Sequence, residues 1–173
     1  MNVTPFPNLA TDRLILRQMK MEDENEIFFL RSDERVLKYT EVPKAVSVDD
    51  ARKFIEKINT GIPKNGWMFW AITLKNDDKL IGTICLWNIS EDGLTTDIGY
   101  VLHPDFQGRG IMHEAISAVI KYGFETMKVN TIDADVDPNN SKSIKLLERN
   151  GFVLTRKATN TVIYSLTKQG RAQ

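Results

Sequence analysis

The chain has 173 residues, 42% of them hydrophobic, with 23 lysines and arginines balanced by 23 acids. Such a length supports a core buried without staples, and we read one domain over residues 1–173. Zero net charge gives no global support for the dense cationic face that non-specific nucleic-acid binding needs. The single cysteine, Cys85, excludes an internal disulfide and suits a reducing compartment.

The amino terminus, MNVTPFPNLATDR, has neither the basic n-region nor the apolar core of a signal peptide. The densest apolar run, WMFWAITL, is far shorter than the ~20 residues of a membrane helix. The expectation is a soluble cytoplasmic protein with no membrane and no nucleic-acid partner.

In chain order, Leu9 to Met19 contains LILR and reads as a first strand. Between Met21 and Leu37, Ile27, Phe28, Leu30, Val36 and Leu37 fall at roughly helical spacing, with acids in the first turn. Ser47 followed by Asp50 resembles a capping box and opens a helix from Val48 to Asn59. Gly61, Pro63 and Gly66 are read as breakers. Trp67–Leu74 and Leu80–Ile89 are strands separated by the hairpin punctuation KNDDK, and Leu94–Leu102 is a third strand after the turn SEDG.

A helix follows a glycine loop, with Met112, Ala115, Ile116, Val119 and Phe124 on its apolar face. Thr131–Val136 is a strand, and Ser141–Arg149 is a helix stopped by Asn150-Gly151. Phe152–Arg156 and Asn160–Thr167 form a final antiparallel pair. The unit from Leu94–Leu102 through the helix to Thr131–Val136 has βαβ character, so those two strands run parallel with a right-handed crossover. The class is mixed α+β.

The loop HPDFQGRGIMHEA, residues 103–115, places Gln107, Gly108, Arg109 and Gly110 at a strand-to-helix junction. A helix amino terminus offers unpaired N–H groups and the positive end of the dipole, and glycines let a ligand approach, so an anion seat is one reading. A plain tight turn is the other. A P-loop fails because no Lys-Ser or Lys-Thr follows Gly110. The dinucleotide fingerprint has His113 at its third glycine position and only one βαβ unit around it, although Asp133 lies at the distance of a ribose-binding acid.

With its flanks, DIGYVLHPDFQGRGIMHEA resembles the acyl-CoA signature of the GNAT acetyltransferase superfamily, [QR]-x-x-G-x-[GA]. Gln107 and Gly110 match, and Met112 departs from the final small residue. TDRLILRQMKMED, residues 11–23, looks like the opening of the Rim-type branch, which acetylates protein amino termini. NNSKSIKLLERNGF, residues 139–152, is similar to that branch's second cofactor segment. The resemblance spans about Leu9 to Phe152. It implies a three-layer α+β fold, a twisted mixed sheet of about six to seven strands splayed between the fourth and fifth, flanked by about four helices.

It also implies acetyl-CoA as co-substrate, lying in the splay between Leu94–Leu102 and Thr131–Val136. Pantetheine would pair with backbone at Val101 and Leu102, and the pyrophosphate would rest on the amides of Gly108, Arg109, Gly110, Ile111 and Met112, after Gln107. Asn140 would reach the pantetheine, and Arg109 adds charge near a phosphate or is merely solvated. The reaction is attack of a neutral amine on a thioester, and an amine of pKa ~8 to ~10.4 must first lose a proton.

Asp97 matches the carboxylate preceding Ile-Gly-Tyr in Rim-type relatives and is the candidate base, against the plainer reading of a surface carboxylate. The amide of Leu102 or Val101 is the candidate oxyanion donor. Leu147 stands where many members carry a tyrosine acid, and Ser143 is its candidate substitute, against an ordinary helical hydroxyl. Cys85 reads as a small buried thiol, and His103 and His113 make no metal site, so no metal is expected.

Trp67, Phe69, Trp70 and Trp87 are core or cleft wall. The acceptor, a peptide amino terminus or a small-molecule amine, would lie among Tyr39–Lys44, Gly61–Trp67 and the last hairpin. A non-catalytic acyl-CoA sensor stays open, with a nucleotide-binding oxidoreductase behind it. The superfamily's frequent dimers make a homodimer a further expectation.

Overall fold

A computed structural model describes residues 4–172. Met1–Val3, the start of the expected leaderless terminus, and Gln173 lie outside the described residues. No helix among those described is long and apolar enough to cross a membrane.

The stretch read as one strand is a short hairpin, β1 (Leu9–Ala10) and β2 (Leu14–Arg17). The Thr11 N–H bonds the Leu14 carbonyl at 3.0 Å, so the chain reverses where a continuous strand was expected. The helical span from Met21 to Leu37 is also divided. A 3₁₀ turn, Met21–Asp23, leads into α1 (Glu24–Leu30), and α2 (Glu34–Leu37) starts again after Asp33. Asp33 accepts the Arg35 N–H at 2.9 Å, and this side-chain cap ends one helical register and begins another.

Helix α3 (Val48–Asn65) is capped by the Ser47 hydroxyl, which accepts the Asp50 N–H at 3.3 Å. The Asp50 carboxylate reaches back to the Val46 N–H at 2.9 Å, one residue beyond a true capping box. The helix does not break at Gly61 or Pro63; it runs on to Gly66, whose φ of +69° ends it. Gly61 is there for packing. A Cβ on it would lie 2.2 Å from the Trp67 indole, which folds back over the helix.

Strands β3 (Met68–Leu74), β4 (Asp77–Trp87) and β5 (Thr95–Leu102) form an antiparallel meander. Helix α4 (Ile111–Tyr122), extended by a π-helical turn over Gly123–Met127, crosses to β6 (Thr131–Val136). Then follow α5 (Ser141–Arg149), β7 (Val153–Lys157) and β8 (Val162–Thr167). The sheet order is β1-β2-β3-β4-β5-β6-β8-β7, and only β5–β6 is parallel. Eight strands replace the six or seven expected, the addition being β1.

Helices cover both faces. On one face Tyr122 meets Trp70 edge-on at 5.2 Å, and Gly123 lets α4 approach Leu86 and Ile132. On the other, Phe54 of α3 packs on Phe69 at 5.7 Å and Phe29 of α1 stacks on His103 at 4.4 Å. This is the three-layer α+β arrangement implied by the resemblance. Fully buried Trp70, Phe152, Leu14, Leu16 and Ile116 belong to one continuous apolar core.

Candidate active site

The parallel pairing of β5 with β6 covers only Thr95–Asp97 against Thr131–Asp133. Beyond Asp97 both strands continue, each bonded only to its outer neighbour, and a cleft opens between them. Which backbone groups face this cleft follows from alternation. The His103 N–H bonds the Ile81 carbonyl of the β4 side at 2.8 Å, whereas the Leu94 carbonyl accepts from Asn130 and Thr131 on the β6 side. Even-numbered β5 residues therefore present N–H and C=O to the cleft. Tyr100 and Leu102 face it, while the backbone of Val101 turns to β4.

At the far end of β5 the loop has the shape of an anion cradle. Gly108 and Gly110 both have φ of +75°, and a Cβ on Gly108 would meet nothing within 4 Å. The helical bonding of α4 begins with Glu114, whose N–H bonds the Gly110 carbonyl at 3.1 Å, so the amides of Ile111, Met112 and His113 have no intrahelical acceptor. Met112 is buried in the core, so its side chain leaves those amides clear. Gln107 donates its Nε2 to the Leu102 carbonyl at 3.1 Å, tying loop to strand. Arg109 is exposed, its guanidinium 5.6 Å from the Phe106 ring.

Arg13 was not visible as a site residue in the sequence. Its Nη1 donates to the Arg109 carbonyl at 2.9 Å, and its Nε pairs with Glu114 at 2.7 Å. Its Nη2 lies 3.4 Å from where a Gly110 Cβ would stand. Against the desolvation that would raise it, the Thr11 hydroxyl and the Arg13 N–H and guanidinium hold Glu114 below the usual carboxylate range. The loop is thus clamped from β2, with a cation at its edge.

At the vertex of the cleft Asp97 lies opposite Trp87 on one side and Asp133 on the other. All three side chains share the face covered by α1 and α3. Trp87 is 47% exposed and forms an open aromatic wall. Burial pushes Asp97 above the ordinary carboxylate range; Asn88 pulls it back, donating from Nδ2 at 2.7 Å, and Asp133 and Asp135 raise it further. Asn88 holds φ +50°, a left-handed conformation that asparagine tolerates, and this aims its amide at Asp97. Replacing Asn88 with glycine keeps that backbone but removes the donor. Carbon-detected NMR titration of Asp97 is expected to show its pKa rising further in Asn88→Gly; an unchanged or lower value would refute the contact.

Ser143 and Asn140 arrive together on α5. Asn140 caps the helix, its Oδ1 accepting the Ser143 N–H at 3.2 Å, and among the described residues its Nδ2 has no hydrogen-bond partner. The Ser143 hydroxyl is 2.6 Å from the Tyr100 hydroxyl. Tyr100 was missed in the sequence, although it sits in the same Ile-Gly-Tyr run as Asp97. Burial pushes its phenol up to about 12, so it stays neutral and holds the Ser143 hydroxyl in one place. Tyr100 lies on the α5 face, so Asp97 and Ser143 flank the cleft from opposite faces of the sheet.

Leu147 is fully buried, part of the core. Burial pushes the Cys85 thiol up to about 12, and it stays an un-ionised packing group under Gly99. His103 is held between Phe29 and Phe106. Among the described residues no cluster of His, Cys, Asp or Glu has the make-up of a metal site.

Comparison with known proteins matches residues 13–153 to a family described as an acetyltransferase (GNAT) domain. An uncharacterized N-acetyltransferase, p20, of Bacillus licheniformis is 35% identical over 144 residues, covering 83% of this chain and 81% of the relative. A ribosomal-protein-serine acetyltransferase of Escherichia coli is 30% identical over 108 residues, 62% of this chain and 59% of its own length. The solved structure of RimL, a ribosomal L7/L12 alpha-N-protein acetyltransferase in complex with coenzyme A, superposes with a TM-score of 0.83 at 17% identity, over 93% of this chain and 98% of that one.

Proposed function

The chain belongs to the GNAT acetyltransferase family and is an acyltransferase enzyme, and from that premise we propose that it acetylates the amino terminus of a peptide or protein, with acetyl-CoA as donor. The observation that carries this reading is the cleft itself. Its unpaired β5 backbone leads from the Gly108–Met112 cradle to Asp97.

The residues present suit an acyl-CoA. Free amides at the start of α4, with the Arg13 Nη2 left over from its bonds to Glu114 and the Arg109 carbonyl, suit a pyrophosphate, and the outward edge at Tyr100 and the Leu102 N–H suits an amide-bearing arm. Arg109, exposed and with no ion pair among the described residues, adds charge at the loop. Asn140 has a side-chain amide left to donate to that arm. Val101 contributes its side chain only, because its backbone is bonded to β4. Bound there, acetyl-CoA supplies an activated thioester.

The protein's share of the chemistry follows from position. Asp97, a carboxylate whose pKa burial raises above the ordinary range, accepts the proton that the incoming ammonium must lose. An N–H of Tyr100 or Leu102 faces the cleft as a fixed donor to oxygen gaining negative charge. Ser143, held by Tyr100, is placed to give its proton to the departing sulfur, the proton from the amine returning through solvent. The E. coli relative, named for a ribosomal-protein serine, supports a protein acceptor.

Calorimetric titration with acetyl-CoA, with NAD as control, is the first test. Micromolar binding of acetyl-CoA and none of NAD is expected, followed by turnover on a panel of N-terminal peptides. Tight binding with no turnover on any amine would favour a sensor; turnover on small amines alone would overturn the peptide reading.

A further inference from the structure

On the face of the sheet that carries Asp97, one arginine has no counter-charge. Arg31 caps the C-terminus of α1, and its guanidinium lies 4.0 Å from the centre of the Phe54 ring. Among the described residues it has no ion pair and no side-chain hydrogen-bond acceptor. Burial depresses its pKa with no acid to offset the loss of solvent. Other arginines in this part of the chain are matched: Arg17 by Asp23 and Asp78, Arg35 by Asp33, Arg52 by Glu24. The guanidinium is partly withdrawn from water and its donors are left to solvent, so an anion arriving there meets no competing acid on it.

The space in front of it is a cavity of about 270 Å³, lined by Arg31, Pro43, Lys44, Ala45 and Asp50. Asp50 is already engaged with the Val46 N–H at 2.9 Å. Lys44 makes only a loose 3.6 Å contact with Glu34, whose side chain is 90% exposed. Two cations therefore face the cavity against one engaged carboxylate. That balance favours a carboxylate guest, which the planar guanidinium fork can hold bidentately.

The sheet register gives a scale for where that guest would sit on an acceptor. Phe54 packs on Phe69, which pairs across β4 with Cys85, which pairs with Gly99. Asp97 lies two residues from Gly99 on the same face. Two strand spacings and one residue pair separate Phe69 from Asp97 by about 12 Å. A free amino acid is far too short to span this, whereas an extended peptide advances ~3.3 Å per residue. At the other end Asp97 and Asp135 supply negative charge that suits an ammonium, while Asp133 between them is buried and already paired with Arg156 and Ser165.

We propose that Arg31, with Lys44, is a specificity seat for an acidic side chain at about the third to fifth residue of a peptide whose amino terminus lies at Asp97. The proposal rests on the acetyltransferase reading of this face and names its acceptor class.

The test uses two peptide amides, Ser-Ala-Asp-Glu-Ala and Ser-Ala-Asn-Gln-Ala, as substrates, and their Nα-acetylated, fluorescently tagged forms as binding probes that need no turnover. Wild type is expected to favour the acidic peptide by about tenfold, chiefly in KM and in probe Kd, and added salt should compress the difference. In Arg31→Gln the ratio should fall to near one, and Arg31→Lys should restore part of it. Acetyl-CoA titration of each variant verifies that it is folded.

Equal use of both peptides by wild type, or a preference that survives Arg31→Gln, would overturn the seat. If wild type acetylates neither peptide but binds the acidic probe through Arg31, the seat stands and the transfer reading fails. If it binds acetyl-CoA but neither probe, the seat is wrong and the cofactor reading survives.

Discussion

Asp97→Asn is expected to lower kcat by about 10²–10⁴-fold at neutral pH while leaving the protein as stable as wild type or slightly more so. Both halves follow from the same burial. The carboxylate sits at the closed end of the cleft, partly desolvated and beside Asp133 and Asp135, so its pKa in the folded chain exceeds the unfolded value. A raised carboxylate pKa means that ionisation works against folding. The penalty is present above the folded pKa, is lost as pH falls through it, and is absent below the unfolded pKa. Above the folded pKa the wild type bears it in full, and the amide removes it without changing shape.

Melting temperatures of the two proteins should therefore converge in acid and separate, if at all, in favour of the variant near neutrality. Residual turnover should rise with pH as more acceptor becomes free amine, towards the ~8 of an α-amino group. Steady-state rates and thermal melts at several pH values measure both. Undiminished turnover in Asp97→Asn would remove the base assignment, and a large loss of stability would show that the carboxylate is structural.

The parts of this fold that were legible in the sequence are those in which local chemistry and packing agree. Thr131–Val136 and Ser141–Arg149 appear with the boundaries read from the sequence, because β-branched alternation and the Asn150-Gly151 stop act locally. The sequence misled where two local signals competed. Gly61 and Pro63 read as breakers, but the helix runs through both to Gly66, with Gly61 packed under the folded-back Trp67 ring. Met21–Leu37 kept a helical period across a capped break, because the apolar spacing does not register the Asp33 side chain.

At the site, the glycine loop and Asp97 could be found because their residue types are unusual at those places. Arg13, Asn88, Tyr100 and Arg31 could not, because their meaning lies in partners 101, 9, 43 and 23 positions away, or in the lack of one. The motif residues around TDRLILRQMKMED held a further contact of this kind. The acid that looked like a helix-start signal, Asp23, closes an ion pair with the arginine six positions before it.

That pair is the basis of the largest stability effect expected in the chain. Arg17 and Asp23 are 6% and 5% exposed and bond through two parallel contacts of 2.8 Å. Asp23 also accepts the Lys20 N–H at 2.7 Å, so one carboxylate fixes both the arginine and the turn that starts α1. Its hydrogen bonds, ahead of the desolvation that opposes them, hold Arg17 above its ordinary pKa. Removing Asp23 leaves a buried guanidinium with only the exposed Asp78 side chain, the Asp78 carbonyl and the Gln18 carbonyl.

Breaking one side of such a pair costs about 3–5 kcal/mol, because the surviving charge stays buried without its partner. In a chain of this size that is on the order of 10 °C in melting temperature. Asp23→Ala is therefore expected to melt roughly 10 °C lower, measured by calorimetry at neutral pH. The double change Arg17→Met, Asp23→Leu should lose much less, since it removes the stranded charge together with its partner. If the double variant is the less stable of the two, the pair contributes net stabilisation of its own. If Asp23→Ala melts within a degree or two of wild type, Asp78 suffices to hold Arg17. The turn carries α1, and α1 carries Phe29 onto His103 and Arg31 onto Phe54. Asp23→Ala should for that reason weaken the acceptor side of the cleft before the clamped cofactor loop, with peptide KM rising while acetyl-CoA affinity holds.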